Sequence, residues 1–202
     1  MIEPPAEDRP PPGRRERKKA GTRAAIVHHA MRLFREKGYD ATTMEEIAEA
    51  ADVSASTLFR HFSSKEALVL TDDYDTQIVE ACRSQPVDLG AIEAIRRAIS
   101  DVFEHASDEA LADLRMRAEL AVSVPDLRGA MLDQLAQAIQ DLTGVVAERA
   151  ARQGDDFAVV TLAGAILGVM VSAEFYWVEH PGSDLFALID DALGRLATGL
   201  AL

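Results

Sequence analysis

Residues 42–65 read TTMEEIAEAADVSASTLFRHFSSK and carry the strongest structural signal in this 202-residue chain. Thr43 is a good helix N-cap, and Glu46 three residues later completes a capping-box pattern. Asp52 interrupts the helical pattern after a run of small residues, and Ser54 is placed to cap a second short helix. Two short helices joined by a tight turn are the layout of a helix-turn-helix, whose second helix enters the DNA major groove.

The residues around this turn support the same interpretation. Ser63 and Glu66 repeat the capping-box pattern, which predicts a further helix directly after the second one. Val53, Leu58 and Phe62 are spaced to fix the second helix onto a core. The other side chains of that helix are left to face outward: Ser54, Ala55, Ser56, Thr57 and Arg60.

A basic cluster precedes the helix-turn-helix: Arg14, Arg15, Arg17, Lys18, Lys19 and Arg23. A helix is then predicted up to about Gly38, with apolar residues at helical spacing from Ile26 to Phe34. Alone, such a basic run is most simply a solubilising tail. Beside a helix-turn-helix, contact with DNA phosphates is the better interpretation.

From about Arg17 to Leu70 the chain resembles the TetR family of bacterial one-component regulators. The matching elements are Leu33-Phe34, Gly38-Tyr39, Thr42-Thr43, Ile47-Ala48, Val53-Ser54, Thr57-Leu58-Phe59, His61-Phe62 and Lys65-Glu66. The resemblance implies an all-α fold, with a three-helix DNA-binding head and a larger helical body for ligand binding and dimerisation. It implies a head at 14–66 and a body at 67–202, while the prolines of 1–13 predict a disordered tail.

The same resemblance assigns roles within the head. Thr43, His61 and Lys65 occupy positions that commonly touch DNA phosphates. Arg17 and Lys18 are predicted to bind DNA because they belong to the basic cluster beside the helix-turn-helix. Positions that commonly approach bases hold Ser54, Ala55, Ser56, Thr57 and Arg60.

Two residues depart from the family pattern. Phe59 stands where the family often has a tyrosine whose hydroxyl reaches a phosphate, so that contact is not carried over. Asp52 stands where a turn glycine is usual. Asp tolerates turn conformations, but its negative charge near DNA is expected to reduce affinity.

The charge is distributed unevenly. The net charge is −13, yet residues 1–68 carry 12 Lys and Arg against 11 Asp and Glu, whereas residues 69–202 carry 9 against 23. An acidic body should stay away from DNA and orient the head toward it.

Cys82 is the only cysteine, which fits a reducing cytoplasm and excludes an intrachain disulfide. A redox-sensor role for it is disfavoured, because only Arg83 is placed to lower its pKa.

The rest of the chain reads as helices, with no convincing strand pattern. We expect a linking helix over 64–82, an amphipathic helix over 92–103, one over about 108–120, and a long one from Pro125 to the punctuation at Gly154. Residues 157–178 are apolar throughout and approach the length of a membrane span. Glu174 within the stretch and the lack of flanking Lys or Arg favour burial in a protein core instead. A final helix ends the chain.

By resemblance, the last two helices of each subunit form a four-helix dimer interface. Its candidate residues are Gly164, Gly168, Ile189, Leu193, Leu196 and Leu200. The two glycines permit close approach of a partner helix. Relief of crowding inside one subunit is an equally good explanation for them.

The resemblance to the TetR family also implies a ligand pocket inside the body, among the helices spanning about 90–180. Candidate lining residues are Phe103, Met116, Leu120, Leu135, Ile139, Met170, Phe175 and Trp177, each of which could equally be plain core. Glu174 is expected to be exposed or paired with Arg115 or Arg117, rather than to contact a ligand. The segment 114–125 and the tail around Trp177 resemble a regulator branch associated with mycofactocin genes, which suggests a lipid-like or acyl-thioester effector.

The sequence predicts neither a catalytic nor a metal site, and no cofactor. His28 and His29 are adjacent and point to different sides of a helix, and neither a nucleophile elbow nor a P-loop is present.

The favoured hypothesis is a cytoplasmic homodimer that is not attached to a membrane. It represses transcription by binding a palindromic operator in double-stranded DNA, and a small apolar effector releases it. A ligand-independent DNA binder or activator, and an interaction module with a degenerate head, remain as alternatives.

Overall fold

The computed structural model describes residues 14–71, 74–104 and 106–200, with side chains from Lys18 onward. These residues form helices and no strand, which confirms the predicted all-α fold. The predicted tail at 1–13 lies outside the described residues. The chain divides into one compact unit that ends at Thr71 and a second that begins at Asp72. We call them the head and the body.

The head contains α1 (Arg14–Lys37), α2 (Met44–Ala50), α3 (Ala55–His61) and α4 (Lys65–Leu70). Gly38 ends α1 with a positive φ of 87°, a conformation that a glycine adopts without strain. The core of the head consists of side chains almost inaccessible to solvent: Ile26, Met31, Phe34, Ile47, Leu58, Phe62 and Leu68.

The start of α4 differs from the prediction by one residue. The N-cap is Ser64, whose Oγ accepts a hydrogen bond from the backbone N–H of Ala67 at 3.2 Å, so the expected box between Ser63 and Glu66 does not form. The buried Phe62 ends α3 in an extended conformation, and Ser63 is needed to turn the chain before a helix can start.

The linking helix expected over 64–82 is interrupted. α4 ends at Leu70 and α5 (Tyr74–Ser84) begins a new helix, with residues 72 and 73 outside the description. Thr71 has an extended backbone, φ −99° and ψ 116°. A Thr side chain competes for backbone hydrogen bonds, which makes Thr71 a weak helix-interior residue.

The body contains α5, α6 (Ala91–Phe103), α7 (Asp108–Ser123), α8 (Pro125–Ala150), α9 (Phe157–Glu179) and α10 (Leu185–Ala197). α9 packs between α8 and α10, and α6 packs against α5 and α10. Their shared core is apolar and includes Ile95, Ile99, Val145, Ile166 and Leu193.

Arg149 ties α8 to the end of α5. Its guanidinium donates hydrogen bonds to the carbonyl oxygens of Gln85 at 2.9 Å, Pro86 at 2.9 Å and Leu89 at 3.3 Å, and also to that of Cys82. It thus satisfies carbonyls that a helix end leaves unpaired. Cys82 is 1% exposed, and burial raises the pKa of its thiol despite Arg149, so the thiol is unsuited to redox sensing.

α9 is apolar on all sides but buried on only one. Val159, Ala163 and Ile166 are buried, whereas Phe157 and Tyr176 are exposed. By length and composition the helix could cross a membrane, and 22% of its apolar window is buried. A single helix of this kind is weak evidence for a membrane, since core helices pass the same test. The expected core burial therefore holds for one face, and the other face is uncovered in the single chain.

Candidate DNA-binding surface and body cavity

The turn between α2 and α3 is a Schellman motif. The backbone N–H of Asp52 donates to the carbonyl of Glu49 at 3.1 Å, and that of Val53 donates to Ala48 at 3.0 Å. This pair of bonds needs a left-handed residue between them. Asp52 takes that role with a φ of 51°, which agrees with its expected tolerance of the turn.

The capping box predicted at α2 is present. The N–H of Glu46 donates to Oγ1 of Thr43 at 3.2 Å, and the N–H of Thr43 donates to Oε2 of Glu46 at 3.0 Å. Nζ of Lys37 lies 2.7 Å from the other carboxylate oxygen. The hydrogen bond from Lys37, followed by that from the Thr43 backbone, lowers the pKa of Glu46. Thr43 is exposed at the start of α2, where a phosphate could approach it.

α3 buries Leu58 and turns a polar face outward. Oγ of Ser54 caps the helix by accepting from the N–H of Thr57 at 3.2 Å, and Oγ of Ser56 lies 3.0 Å from it. Thr57 is half-buried. The exposed residues of this segment form what we call the α3 face: Ser54, Ala55, Ser56, Phe59 and Arg60.

Phe59 is the unusual member of the α3 face. It leaves 48% of a large apolar side chain accessible, whereas Phe62, directly after the helix, leaves 1%. His61 is half-buried beside this face. Burial, followed by the charges of Arg60, Lys19 and Arg23, lowers the pKa of His61. These effects favour the neutral form of the imidazole over the charged form.

Lys65 is partly committed to the head itself. Its Nζ donates to the carbonyl oxygens of Tyr39 at 2.8 Å and Thr42 at 3.2 Å, and lies 4.2 Å from the centre of the Tyr39 ring. Two of the three donors of its ammonium group thus hold the loop between α1 and α2. Only the third N–H donor of Lys65 is left for its predicted contact with a DNA phosphate.

Arg23, the last residue of the basic cluster, turns inward. Its guanidinium donates to the carbonyl of His61 at 3.2 Å and to that of Thr71 at 3.4 Å, and stacks 4.2 Å from the centre of the Phe62 ring. The prediction that Arg23 belongs to a phosphate-binding surface is therefore corrected, because Arg23 fastens α1 to α3. Lys18 is exposed, and the side chain of Arg17 lies outside the description.

The body contains a cavity of about 150 Å³ bounded by α5, α6, α7, α9 and α10. Its walls are mostly aliphatic and aromatic side chains, with two carboxylates among them. The lining residues are Tyr74, Asp75, Ile78, Ile99, Phe103, Leu114, Leu167, Met170, Val171, Glu174, Leu185, Phe186 and Ile189.

Only some of the predicted pocket residues line this cavity. Phe103 and Met170 do. Trp177 is buried beside Arg115, whose guanidinium lies 4.1 Å from the ring centre and donates to the Trp177 carbonyl at 3.2 Å. Phe175 is 41% exposed. The remaining predicted residues lie on α7 and α8 away from the lining: Met116, Leu120, Leu135 and Ile139.

Glu174 is half-buried and lines the cavity from α9. Its expected pairing with Arg115 or Arg117 stays a prediction, and Arg115 donates a hydrogen bond to the carbonyl oxygen of Trp177. The sequence does not predict the contribution of α5 and α10 to the cavity, because its pattern assigns α5 to a linker and α10 to a dimer interface. The aromatic spacing of Phe103 and Phe186 gives no hint that their rings meet, 4.4 Å apart between centres.

The predicted dimer residues separate into two groups. Ile189 is 8% exposed and lines the cavity, and Leu193 is fully buried, so both face their own subunit and their assignment to a partner contact is corrected. α10 buries these residues because α6 packs against it. Leu196 is half-buried against the same core, whereas Leu200 is 51% exposed.

Gly164 and Gly168 do not relieve crowding within the subunit. A Cβ atom added at either position would meet nothing within 4 Å. The alternative explanation, that these glycines relieve crowding inside one subunit, is therefore wrong for the single chain. Gly168 is exposed on the uncovered side of α9, next to a shallow groove between α9 and α10. The groove, which we call the α9–α10 face, is lined by Val169, Ser172, Ala173, Tyr176, Leu188, Asp191, Ala192, Arg195 and Leu200.

Comparison with known proteins identifies both parts of the chain. Residues 26–71 match the family described as bacterial regulatory proteins, tetR family. Residues 89–201 match the family described as the MftR C-terminal domain. The chain is 32% identical over 188 residues to the HTH-type transcriptional regulator TcmR of Streptomyces glaucescens, spanning 88% of this chain and 82% of TcmR. The chain belongs to the TetR family of transcriptional regulators.

Other TetR-family comparisons agree. MftR of Mycobacterium tuberculosis, named for mycofactocin biosynthesis, is 25% identical over 185 residues, which are 88% of this chain and 92% of MftR. This confirms the resemblance of the C-terminal part. The crystal structure of the repressor FadR of Thermus thermophilus, in complex with lauroyl-CoA, superimposes with a TM-score of 0.54 at 26% identity over 89% of this chain and 95% of FadR.

Membership of the family settles the broad class of activity. TetR-family proteins are DNA-binding transcriptional regulators rather than enzymes, which confirms the prediction that this chain is not an enzyme.

Proposed function

We propose that this TetR-family chain acts in the cytoplasm as a homodimeric repressor. It binds a palindromic operator through the α3 face and leaves it when a small apolar effector enters the body cavity. The observation that carries the proposal is the α3 face itself. A short capped helix there presents hydroxyls and a guanidinium to solvent, while the helix is fixed from below by Leu58 and Phe62.

Within the operator, Arg60 is the natural base reader. A guanidinium can donate two hydrogen bonds to the major-groove edge of guanine, and the hydroxyls of Ser54 and Ser56 can bond to several bases. Lys18 and Thr43 are suited to phosphates, which position the head without reading sequence. Since Lys65 and Arg23 hold the head together, the phosphate-binding positive charge is expected mainly from α1.

The α9–α10 face supports the homodimer. It combines exposed apolar side chains with the open surface at Gly168, as a self-complementary interface requires. A two-fold dimer presents its heads to half-sites about 34–36 Å apart, which is one turn of DNA. A palindromic operator follows from that symmetry.

The body cavity supports effector control. A ligand shifts a regulator off its operator only if it binds one conformation better than the other, here through a head spacing that no longer fits successive major grooves. The acyl-thioester ligand of FadR and the match to the MftR C-terminal domain make a hydrophobic effector the first class to test.

Two alternatives have less support. A ligand-independent DNA binder or activator needs no cavity, whereas this body has one of about 150 Å³. An interaction module with a degenerate head is suggested by Asp52 and Phe59, but the α3 face keeps its cap and its guanidinium.

The deciding experiment is selection of genomic DNA fragments by the purified full chain, with affinity measured against salt. We expect a palindromic consensus and an affinity that falls about 10³–10⁵-fold between 50 and 200 mM salt. Arg60→Ala should cost about 1–3 kcal/mol and relax specificity at one base position per half-site. Arg152→Ala, an equal charge change on an exposed body residue, is the matched control. A folded dimer that enriches no sequence would favour the module.

A further inference from the structure

Phe59 is an exposed aromatic residue on a face that is otherwise polar or small. Its side chain is 48% exposed, whereas the other Phe and Tyr side chains of the described head are buried: Phe34, Tyr39 and Phe62. A single exposed apolar residue needs no explanation on an ordinary surface. On a face proposed to enter DNA it becomes covered, so it has to suit the group that covers it.

Helical spacing divides the α3 face into two rows. Residues four positions apart are neighbours on the surface of a helix. Ala55 and Phe59 therefore form an apolar row, and Ser56 and Arg60 form a polar row beside it. All four residues are exposed. α3 thus presents apolar groups and hydrogen-bonding groups side by side.

A DNA phosphate is a poor neighbour for the Phe59 ring. The ring has neither a hydrogen-bond donor nor a positive charge, and its face carries partial negative charge. A phosphate placed against it would lose hydrogen bonds to water without replacement. Lys18 and Thr43, which are also exposed, offer an ammonium group and a hydroxyl for that purpose. A base edge is therefore the better partner for Phe59.

The base edges in the major groove differ in whether they tolerate an apolar cover. Guanine, adenine and cytosine present acceptors or amino donors there, and thymine adds a C5-methyl group. A donor or acceptor covered by an aromatic ring is left unpaired, which costs free energy. Removing a methyl group from water is favourable. The chemistry of the ring therefore selects thymine.

We propose that Phe59 determines operator specificity by packing against the C5-methyl group of a thymine in each half-site. This thymine lies next to the base pair that Arg60 contacts, because the two residues are adjacent on α3. The inference rests on the proposed function and adds the identity of one base to it. On this account Phe59 is a specificity-determining residue rather than a sign of a degenerate head.

The test removes the methyl group from the DNA. Deoxyuridine replaces each thymine of the selected operator in turn, at symmetric positions of the two half-sites, and leaves the hydrogen-bonding edge of the base unchanged. Fluorescence anisotropy measures binding of the full-length protein. At one such position we expect affinity to fall about 4-fold per half-site, the factor for burial of one methyl group. The total loss should be about 16-fold, since separated positions contribute additively.

Variants assign this loss to Phe59. Phe59→Ala should bind the thymine operator about 4-fold more weakly per half-site, and deoxyuridine should then cost it less than about 1.5-fold. Arg60→Ala should bind weakly but keep the full deoxyuridine penalty, so it is the matched variant on the same face. Leu132→Ala removes a 69% exposed apolar side chain from α8 in the body and should change neither quantity. Phe59→Gln repeats the test if Phe59→Ala does not fold by circular dichroism.

The outcomes separate this inference from the proposed function. Three results would each overturn the role of Phe59 while leaving the repressor proposal intact. They are operator binding that is insensitive to deoxyuridine at every thymine, a half-site without thymine, and a deoxyuridine penalty that persists in the Phe59 variants or disappears equally in Arg60→Ala. A folded dimer that enriches no DNA sequence would overturn the proposed function, and the thymine contact with it.

Discussion

The head and the body hold their helices in place by different means. α2, α3 and α4 are six or seven residues long, too short to be stable alone in water. Each begins at a side-chain cap, and the long cations Arg23 and Lys65 bind the carbonyls that the loops expose. The body helices, of 11 to 26 residues, rely on burying apolar faces against one another.

This difference explains where each unit presents its binding surface. The head uses many polar groups internally, which leaves the α3 face rigid and polar toward solvent. The body has more apolar surface than one chain can bury, and the excess appears on α9. The body uses such bonds too: Arg149 binds four carbonyls at the end of α5, and Arg115 binds the carbonyl of Trp177. We expect single substitutions to affect stability in the head and selectivity or assembly in the body.

The largest effect should come from Phe62→Ala. This side chain is 1% exposed and also carries the Arg23 guanidinium on its ring. Its removal should destabilise the head by about 3–5 kcal/mol. Phe59→Ala, on α3 at 48% exposure, should change stability by less than about 0.5 kcal/mol. Urea denaturation followed by circular dichroism measures both, and equal losses would show that α3 is not fixed as described.

The next prediction separates a lysine that stabilises the head, Lys65, from one that binds DNA phosphates, Lys18. Lys65→Met removes two hydrogen bonds to carbonyl oxygens and should cost about 2 kcal/mol of unfolding free energy. Lys18→Met, at an exposed position, should leave stability unchanged while reducing the salt slope of operator binding by about one. Thermal melting and salt-dependent DNA titration distinguish them. A full unit of lost slope for Lys65→Met, with stability unchanged, would make Lys65 a direct phosphate ligand instead.

A smaller effect should follow from removing a cap. Ser54→Ala deletes the acceptor for the N–H of Thr57 and should destabilise the head by about 1 kcal/mol. Ser56→Ala leaves the cap intact and is the matched control. Hydrogen exchange of the α3 amides should rise about 5-fold for Ser54→Ala only, since 1 kcal/mol corresponds to that ratio. Equal exchange in the two variants would mean that the cap contributes nothing to α3.

Local rules made the head predictable. The caps at Thr43 and Ser54, the turn at Asp52 and the outward positions of α3 each follow from a few neighbouring residues. The error at Ser63 and Ser64 arose because two adjacent residues can both cap a helix. The inward turn of Arg23 could not be predicted, because it depends on carbonyls at His61 and Thr71 that only the fold brings near.

The body was predictable as a set of helices but not as a site. Its helix bounds follow from periodicity, Pro125 and the polar breaks. Which side of each helix faces the cavity depends on how α6, α9 and α10 pack, and periodicity carries no information about that packing. Ile189 and Leu193 therefore lie inside the subunit although their pattern suits an interface equally well. The same limitation hid the cavity roles of Tyr74 and Phe186.

The smallest expected effects concern Asp52, which affects both the backbone conformation of the turn and the charge beside the α3 face. Its φ of 51° is one that glycine adopts without the penalty of about 1 kcal/mol that other residues incur. Asp52→Gly should therefore stabilise the head by about 0.5 kcal/mol, after the greater flexibility of glycine in the unfolded chain is subtracted. It also removes a negative charge next to the α3 face. Asp52→Asn separates the two effects, because Asn keeps the turn conformation and loses only the charge.

Both variants should bind the operator a few-fold more tightly at 50 mM salt, and the gain should shrink at 200 mM because salt screens exposed charges. Only Asp52→Gly should raise the melting temperature. Operator titration at the two salt concentrations, with melting curves of the free protein, checks both expectations. If Asp52→Asn leaves operator affinity unchanged at low salt, the turn does not lie near the DNA backbone and the orientation proposed for the α3 face is wrong. A gain in stability for Asp52→Asn equal to that for Asp52→Gly would instead assign the cost at this position to charge rather than to backbone conformation.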